Sequence, residues 1–264
     1  MSTQNDLALR LKSLHESGNP LILTNVWDAI SAKTVAQLPD TKALATASFA
    51  VAAAAGLEDQ ELTLDTNLRA VEAVSKVAKA SNLPLTVDFQ DGFGDQLEAG
   101  IRKAIRLGAV GINLEDFGRE LGEKGDLYPI SEAQDRIRKV LKVAADEGIP
   151  DFVINARTDA LLAGETIDDA IERGKAFLEA GATNVFIWGG RKRGGIKREE
   201  VEKAAKALGG KLNVSLKLVP GGLTVKELRE IGVARISVGP QLMLKSAPAV
   251  GVEAAKILAG EAAF

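Results

Sequence analysis

The chain has 264 residues and no cysteine, which leaves room for a large core in one α/β barrel or two small domains and excludes disulfides, thiolate nucleophiles and Cys-ligated metals. Its 33 Lys and Arg nearly balance 36 Asp and Glu, a net charge of -3 that argues against nonspecific nucleic-acid or anionic-membrane binding and for a small-molecule ligand. Polar residues from Met1 to Asp6, with no run of about 18 apolar residues anywhere, predict a soluble cytoplasmic protein without signal peptide or membrane span.

Leu7, Leu9, Leu11 and Leu14 mark a helical segment over Asn5 to Ser17. An alternation follows. Strand one is Leu21 to Thr24, with a helix from Trp27 to Gln37; strand two is Ala43 to Ala47, leading through a Ser48 loop and an alanine-rich run to Gly56 and Asp59. The helix from Asp65 to Ala80 has apolar residues at Leu68, Val71, Val74 and Val77. Strand three is Leu85 to Asp88, the next helix Gln96 to Leu107, and strand four Val110 to Leu114. The longest connection, Glu115 to Ile130, has the length of a lid or binding loop, and Ser131 to Gln134 reads as a capping box for a helix reaching Ala145. Strand five is Phe152 to Asn155, strand six Asn184 to Ile187, strand seven Leu212 to Ser215 and strand eight Arg235 to Val238. Helices over Ile167 to Glu179, Arg198 to Leu208 and Val225 to Ile231 separate them, and a final helical region from Gln241 to Leu258 carries a break or kink at Pro248. Eight strand-then-helix units without a linker predict one (β/α)8 TIM barrel over residues 1–264, with a short N-terminal helical segment.

Asp88 and Glu115 end adjacent strands, and Arg157 follows the next one, so acid, acid and guanidinium face one end of the barrel. Oxygen donors without a nearby His or Cys select Mg2+, with Mn2+ as a substitute. The planar fork of Arg157 suits a substrate carboxylate or phosphoryl group; the alternative is an ion pair to Asp159 or Glu115. Amides near Ser48 and Phe49 are candidates for an oxyanion, and Trp27 and Trp188 for pocket walls. Glycine turns at Gly189 to Gly195, Gly221-Gly222 and Gly239-Pro240 are weak phosphate-cradle signals, and the lone His15 reads as a surface residue.

Taken in order, Asn25-Val-Trp-Asp-Ala29, Ser48 to Gly56-Leu-Glu-Asp59, Val87-Asp-Phe-Gln-Asp-Gly-Phe-Gly94, Gly111-Ile-Asn-Leu-Glu-Asp116, Asn155-Ala-Arg-Thr-Asp-Ala160 and Gly232-Val-Ala-Arg-Ile-Ser-Val-Gly239 resemble the phosphoenolpyruvate mutase/isocitrate lyase superfamily over nearly the whole chain. The resemblance implies a (β/α)8 barrel whose last helix swaps between subunits of a homo-oligomer, a dimer or tetramer. It also implies Mg2+-dependent C–C or P–C chemistry on a small oxo acid through an enolate-like intermediate. Carried onto this sequence, Asp88 and Glu115 hold the metal, Arg157 and the Ser48 and Phe49 amides bind substrate with Trp27 and Gln90 beside them, and Asp59 is an active-site acid.

Two departures narrow the reading. Family members often have Asp-x-Asp after strand three, and here the second position is Gln90, with Asp91 one residue later. The lyases' Cys-containing loop motif is replaced by Gly118 to Pro129, in which Arg119, Glu123, Lys124 and Tyr128 are the available proton donors or acceptors, Lys124 being the catalytic candidate. The expectation is a mutase-like branch member cleaving a C–C bond in a small 2-oxo or 2-hydroxy (di)carboxylic acid as a lyase or hydrolase. The alternatives are a phosphoenolpyruvate/phosphonopyruvate-type mutase or hydrolase, and a catalytically retired barrel that only binds.

Overall fold

Strands buried on both faces have no need of polar alternation, and the apolar runs of this chain become such strands. The computed structural model describes residues 2–122, 125–190 and 192–261. Its main sheet has eight parallel strands: β1 (Leu21–Leu23), β2 (Leu44–Ala45), β3 (Leu85–Asp88), β4 (Gly111–Glu115), β5 (Val153–Thr158), β6 (Asn184–Ile187), β7 (Leu212–Ser215) and β8 (Arg235–Ser237). From β2 to β8 each strand pairs with the next, and β1 pairs with β8. A parallel bridge between Val26 and Thr46 closes the ring, with the Val26 N–H donating to Ala45 O at 2.8 Å. This is the (β/α)8 barrel expected.

The N-terminal end of the barrel is covered by α1 (Gln4–Ser13), whose start is fixed by a Thr3–Asp6 capping box. Gln4 donates to Ile105 O and Ala109 O, and Arg10 to Asn82 O and Lys42 O, so α1 is tied to turns that enter β2, β3 and β4. Outer helices follow in order: α2 (Ala29–Ala36), α3 (Ser48–Ala54), α4 (Leu64–Ala80), α5 (Leu97–Leu107), α6 (Ile130–Asp146), α7 (Ala160–Ala163), α8 (Ile167–Glu179), α9 (Arg198–Ala207), α10 (Val225–Ile231) and α11 (Gln241–Leu258). Close packing of α5 on the sheet depends on Gly100, where a Cβ would lie 2.8 Å from the Phe89 ring.

Several local expectations are corrected. Ser48 opens a helix and not a loop, because the alanine run after it is helical. Ser131 is no cap, since α6 begins one residue earlier after Pro129, and Gln134 donates to Ala176 O instead. Pro248 lies inside α11 without ending it. His15 is half-buried under the barrel, its Nε2 3.5 Å from Arg235 Nη1, and burial plus that guanidinium push its pKa down to about 3. The barrel interior is polar where apolar layers are usual: Asn113, Asn155, Asn184, Asn213 and Arg235 are all buried.

Candidate active site

At the C-terminal end of the barrel the strands deliver Asp88, Glu115 and Arg157 to one place. Asp88 closes β3; its N–H donates to Thr46 Oγ1 at 2.8 Å, and its Oδ2 accepts the Ser48 N–H from the first turn of α3 at 2.9 Å. That amide, expected to face an oxyanion, is therefore committed to Asp88, with Phe49 half-buried beside it. Arg157 lies within β5, not beyond it, because β5 runs on to Thr158; its register partners are Glu115 on β4 and Phe186 on β6.

The guanidinium is held from three sides. Nη1 meets Glu115 Oε1 at 2.7 Å, while Nε and Nη2 form a fork on Asp159 at 2.8 and 3.0 Å. Its face stacks on Trp188, 4.2 Å from the ring centre, with Phe186 at 5.8 Å. Five N–H bonds less three leaves one on each of Nη1 and Nη2, a second fork available to a ligand. The ion-pair reading and the substrate reading of Arg157 are thus compatible. Trp188 supplies the aromatic wall; Trp27 packs on the apolar core after β1, its N–H donating to Ser31 Oγ.

Gln90 is the second residue after β3 and adopts a left-handed backbone (φ 47°), a strained conformation for a residue with a side chain. The turn points its carbonyl at the Glu115 N–H (2.8 Å) and its amide at Asp59, donating to the backbone O at 2.9 Å and to Oδ1 at 3.0 Å. The residue that breaks the family's acidic pair thereby ties Asp59 into the site. Asp91 is turned away, clamped by Arg119 through Oδ1 at 2.8 Å and Oδ2 at 3.1 Å. Arg119 is consequently committed.

Asp59, Asp88, Glu115 and Asp159 crowd around Arg157, and the proton affinities of Asp59, Glu115 and Asp159 record it. Burial pushes the Glu115 carboxyl well above the ordinary range, and Asp159, Asp88 and Asp59 add to the rise against the pull of Arg157. Asp59 is raised by burial and by Asp88, with hydrogen bonds from Ser48 and Gln90 opposing. Burial works against the Arg157 charge, yet Asp159 and Glu115 outweigh it and hold the guanidinium protonated.

A hard divalent cation fits this donor set. Among the described residues the carboxylates around Arg157 outnumber it, all donors are oxygen, and burial together with the neighbouring acids lifts Asp59 and Glu115. Among the described residues no three Asp, Glu or His side chains form a cage of their own. Mg2+ does not demand one, since it is commonly held by one or two carboxylates plus water and substrate.

The Glu115–Ile130 connection folds into a small hairpin, Phe117–Gly118 against Asp126–Leu127. Tyr128 is buried, hydrogen-bonded to Glu120 and stacked by Arg136 at 4.3 Å, and its hydroxyl pKa is raised by burial. It is a structural residue. Glu123 and the catalytic candidate Lys124 lie outside the described residues. The sequence offers Trp188 as a pocket wall without showing that it stacks on Arg157, and it gives no signal for Arg173, which pairs with Asp116 at 2.6 Å while Asp116 Oδ1 accepts the Asp159 N–H at 2.8 Å.

A family model described as phosphoenolpyruvate phosphomutase matches residues 11–258 of this chain. The chain belongs to the phosphoenolpyruvate mutase/isocitrate lyase superfamily. Within it, the 2-methylisocitrate lyase of Escherichia coli (strain K12) is 36% identical over 177 residues, 64% of this chain and 57% of the lyase. The chain spans well under two thirds of that relative's length. A solved structure from Burkholderia cenocepacia J2315 is 34% identical, covering 98% of this chain and 100% of its own, with a TM-score of 0.81. A phosphonopyruvate hydrolase solved with oxalate and Mg++ is 25% identical, covers 98% of this chain and 88% of its own, and gives a TM-score of 0.83. The relatives in this superfamily are lyases and phosphomutases. Among the described residues no helix is long and apolar enough to cross a membrane.

Proposed function

We propose that this chain is a Mg2+-dependent lyase or hydrolase that cleaves a C–C bond in a small 2-oxo or 2-hydroxy (di)carboxylic acid through an enolate-like intermediate. The observation that carries the reading is the cluster of Asp59, Asp88, Glu115 and Asp159 around an Arg157 that keeps two N–H groups for a ligand. Asp88 and Glu115 hold the ion together with water and substrate oxygens. Bound there, Mg2+ supplies Lewis-acid polarisation of the substrate's oxo and carboxylate oxygens.

The remaining steps belong to side chains. Arg157 receives the substrate carboxylate on its free fork, with Asp159 and Glu115 fixing the plane of the guanidinium beforehand, which reduces the entropy cost of orientation. Trp188 excludes water from one face of that fork. Asp59, whose carboxyl is raised, holds a proton at its carboxylate oxygen closer to neutral pH than an ordinary aspartate and serves as the acid/base group. Gln90 keeps it in place. Lys124, on the connection after β4, is proposed as the second proton carrier.

We also propose self-association through α11, along which Leu244, Val250, Val252, Ile257 and Leu258 are exposed and none of whose residues is buried. A second copy of this chain covering that face accounts for it.

The catalytic reading is tested with Asp88→Ala. Calorimetry should show oxalate binding in the presence of Mg2+ in the native protein and none in the variant, at unchanged circular dichroism. Retained Mg2+-dependent binding would sink the metal assignment. Screening oxaloacetate, substituted malates and phosphonopyruvate for turnover then separates C–C from P–C cleavage.

A further inference from the structure

One rung of the barrel crosses four strands in register: Asp88 on β3 opposite Asn113 on β4, Asn113 opposite Asn155 on β5, and Asn155 opposite Asn184 on β6. Their amides form a directed chain. Asn184 Nδ2 donates to Asn155 Oδ1 at 3.0 Å, Asn155 Nδ2 to Asn113 Oδ1 at 2.9 Å, and Asn113 Nδ2 faces Asp88 Oδ1 at 3.4 Å. Every amide thus turns its donor end toward the carboxylate.

Arg235 locks that direction. Its Nη2 donates to Asn113 Oδ1 at 3.0 Å across the lumen from β8. With two donors aimed at it, the Asn113 group facing Arg235 and Asn155 has to be the oxygen, which leaves only the NH2 for Asp88. Arg235 is 1% exposed and among the described residues forms no ion pair; burial pushes its pKa down to about 9, with the charge of Asp88 acting against that fall. Replacing a buried ionic group by an apolar residue of similar volume is often neutral or stabilising. A feature that costs stability without returning it is expected at a functional site.

We infer that Asn113 and Arg235 are positioning residues for Asp88, orienting the metal-holding carboxylate from inside the barrel. The inference rests on the proposed metal role of Asp88. Neither residue touches substrate.

The test uses Mg2+ and oxalate together on the full chain. The pair is neutral overall, so losing the charge of Arg235, which reaches Asp88 only through Asn113, leaves its affinity nearly unchanged by charge alone, whereas a misoriented Asp88 lowers it. Arg235→Met should retain or raise Tm, by relieving the buried cation, and yet weaken Mg2+–oxalate binding about 10- to 100-fold, the range seen when outer supports of metal ligands are removed. Asn113→Leu keeps the volume and adds no charge but removes the donor facing Asp88; it should weaken binding by a similar factor. Weaker binding in each variant that folds supports the inference. An unchanged dissociation constant in either folded variant overturns it, whatever Tm does. If the native protein itself does not bind the pair, the metal reading of Asp88 fails, a result distinct from a variant that binds as well as the native chain.

Discussion

Replacing Arg157 by Lys separates the two duties of that side chain. Arg157 makes three charge-assisted hydrogen bonds, at 2.7 Å to Glu115 and at 2.8 and 3.0 Å to Asp159, all in a nearly water-free setting. Lys keeps the charge on a single nitrogen and reaches one of the two carboxylates well. Two bonds lost at about 1.5–3 kcal/mol each, partly offset when a released acid takes up a proton, amount to roughly 2–4 kcal/mol of stability. For a domain of this size that lowers Tm by roughly 4–16 °C. The free fork is lost as well, so Mg2+-dependent oxalate binding should weaken by about 10- to 100-fold, one bidentate charged contact. Affinity for Mg2+ alone should change little, because the charge remains. Calorimetry and differential scanning fluorimetry on one preparation give all three quantities. Oxalate affinity that survives the Tm loss, or oxalate and Mg2+ affinities that fall equally, would refute the substrate role and leave a structural ion pair.

Two further outcomes follow from the same geometry. Asp59 and Glu115 have raised pKa values, so their stabilising contribution is complete below the ordinary carboxylate range and is lost as pH rises through their folded-state values. The Tm of the native protein relative to Asp59→Asn should therefore decline from about pH 5 to pH 8 while the Tm gain from Mg2+ grows; a difference flat with pH contradicts the electrostatic account. Charging the exposed face of α11 with Val250→Glu and Ile257→Lys should shift the native protein from oligomer to monomer in sedimentation velocity, with the barrel's circular dichroism unchanged. A native chain that sediments as a monomer removes the proposed interface.

The barrel was legible because its strands are short, apolar and evenly spaced. β3, β6 and β7 carry the bounds read from sequence, and β5 differs because Ala156 and Thr158 are buried strand residues that polar neighbours disguise. Asp88, Glu115 and Arg157 were legible for the same reason: polar groups ending apolar runs on successive strands have one place to go. The short α7 after Asp159 carried no periodic signal of its own. Arg119 and Tyr128 looked available for proton transfer because nothing in their spacing shows that Asp91 and Glu120 hold them. The polar lumen was hidden for a further reason. On strands buried on both faces, alternation no longer says which side chains point inward, so Asn113, Asn155, Asn184 and Arg235 read as ordinary strand residues until their hydrogen bonds are seen.

The central claim, an acid cluster built to take Mg2+ and an enolate-like oxo acid together, is tested most directly by the thermal shift of the native protein with Mg2+, with oxalate, and with both. Each ligand at about a hundred times its dissociation constant adds about 2.7 kcal/mol to a site it fits. The account predicts a small shift with Mg2+ alone, none with oxalate alone and a large one with both. No shift under any of the three conditions would contradict it and leave a barrel that binds something else.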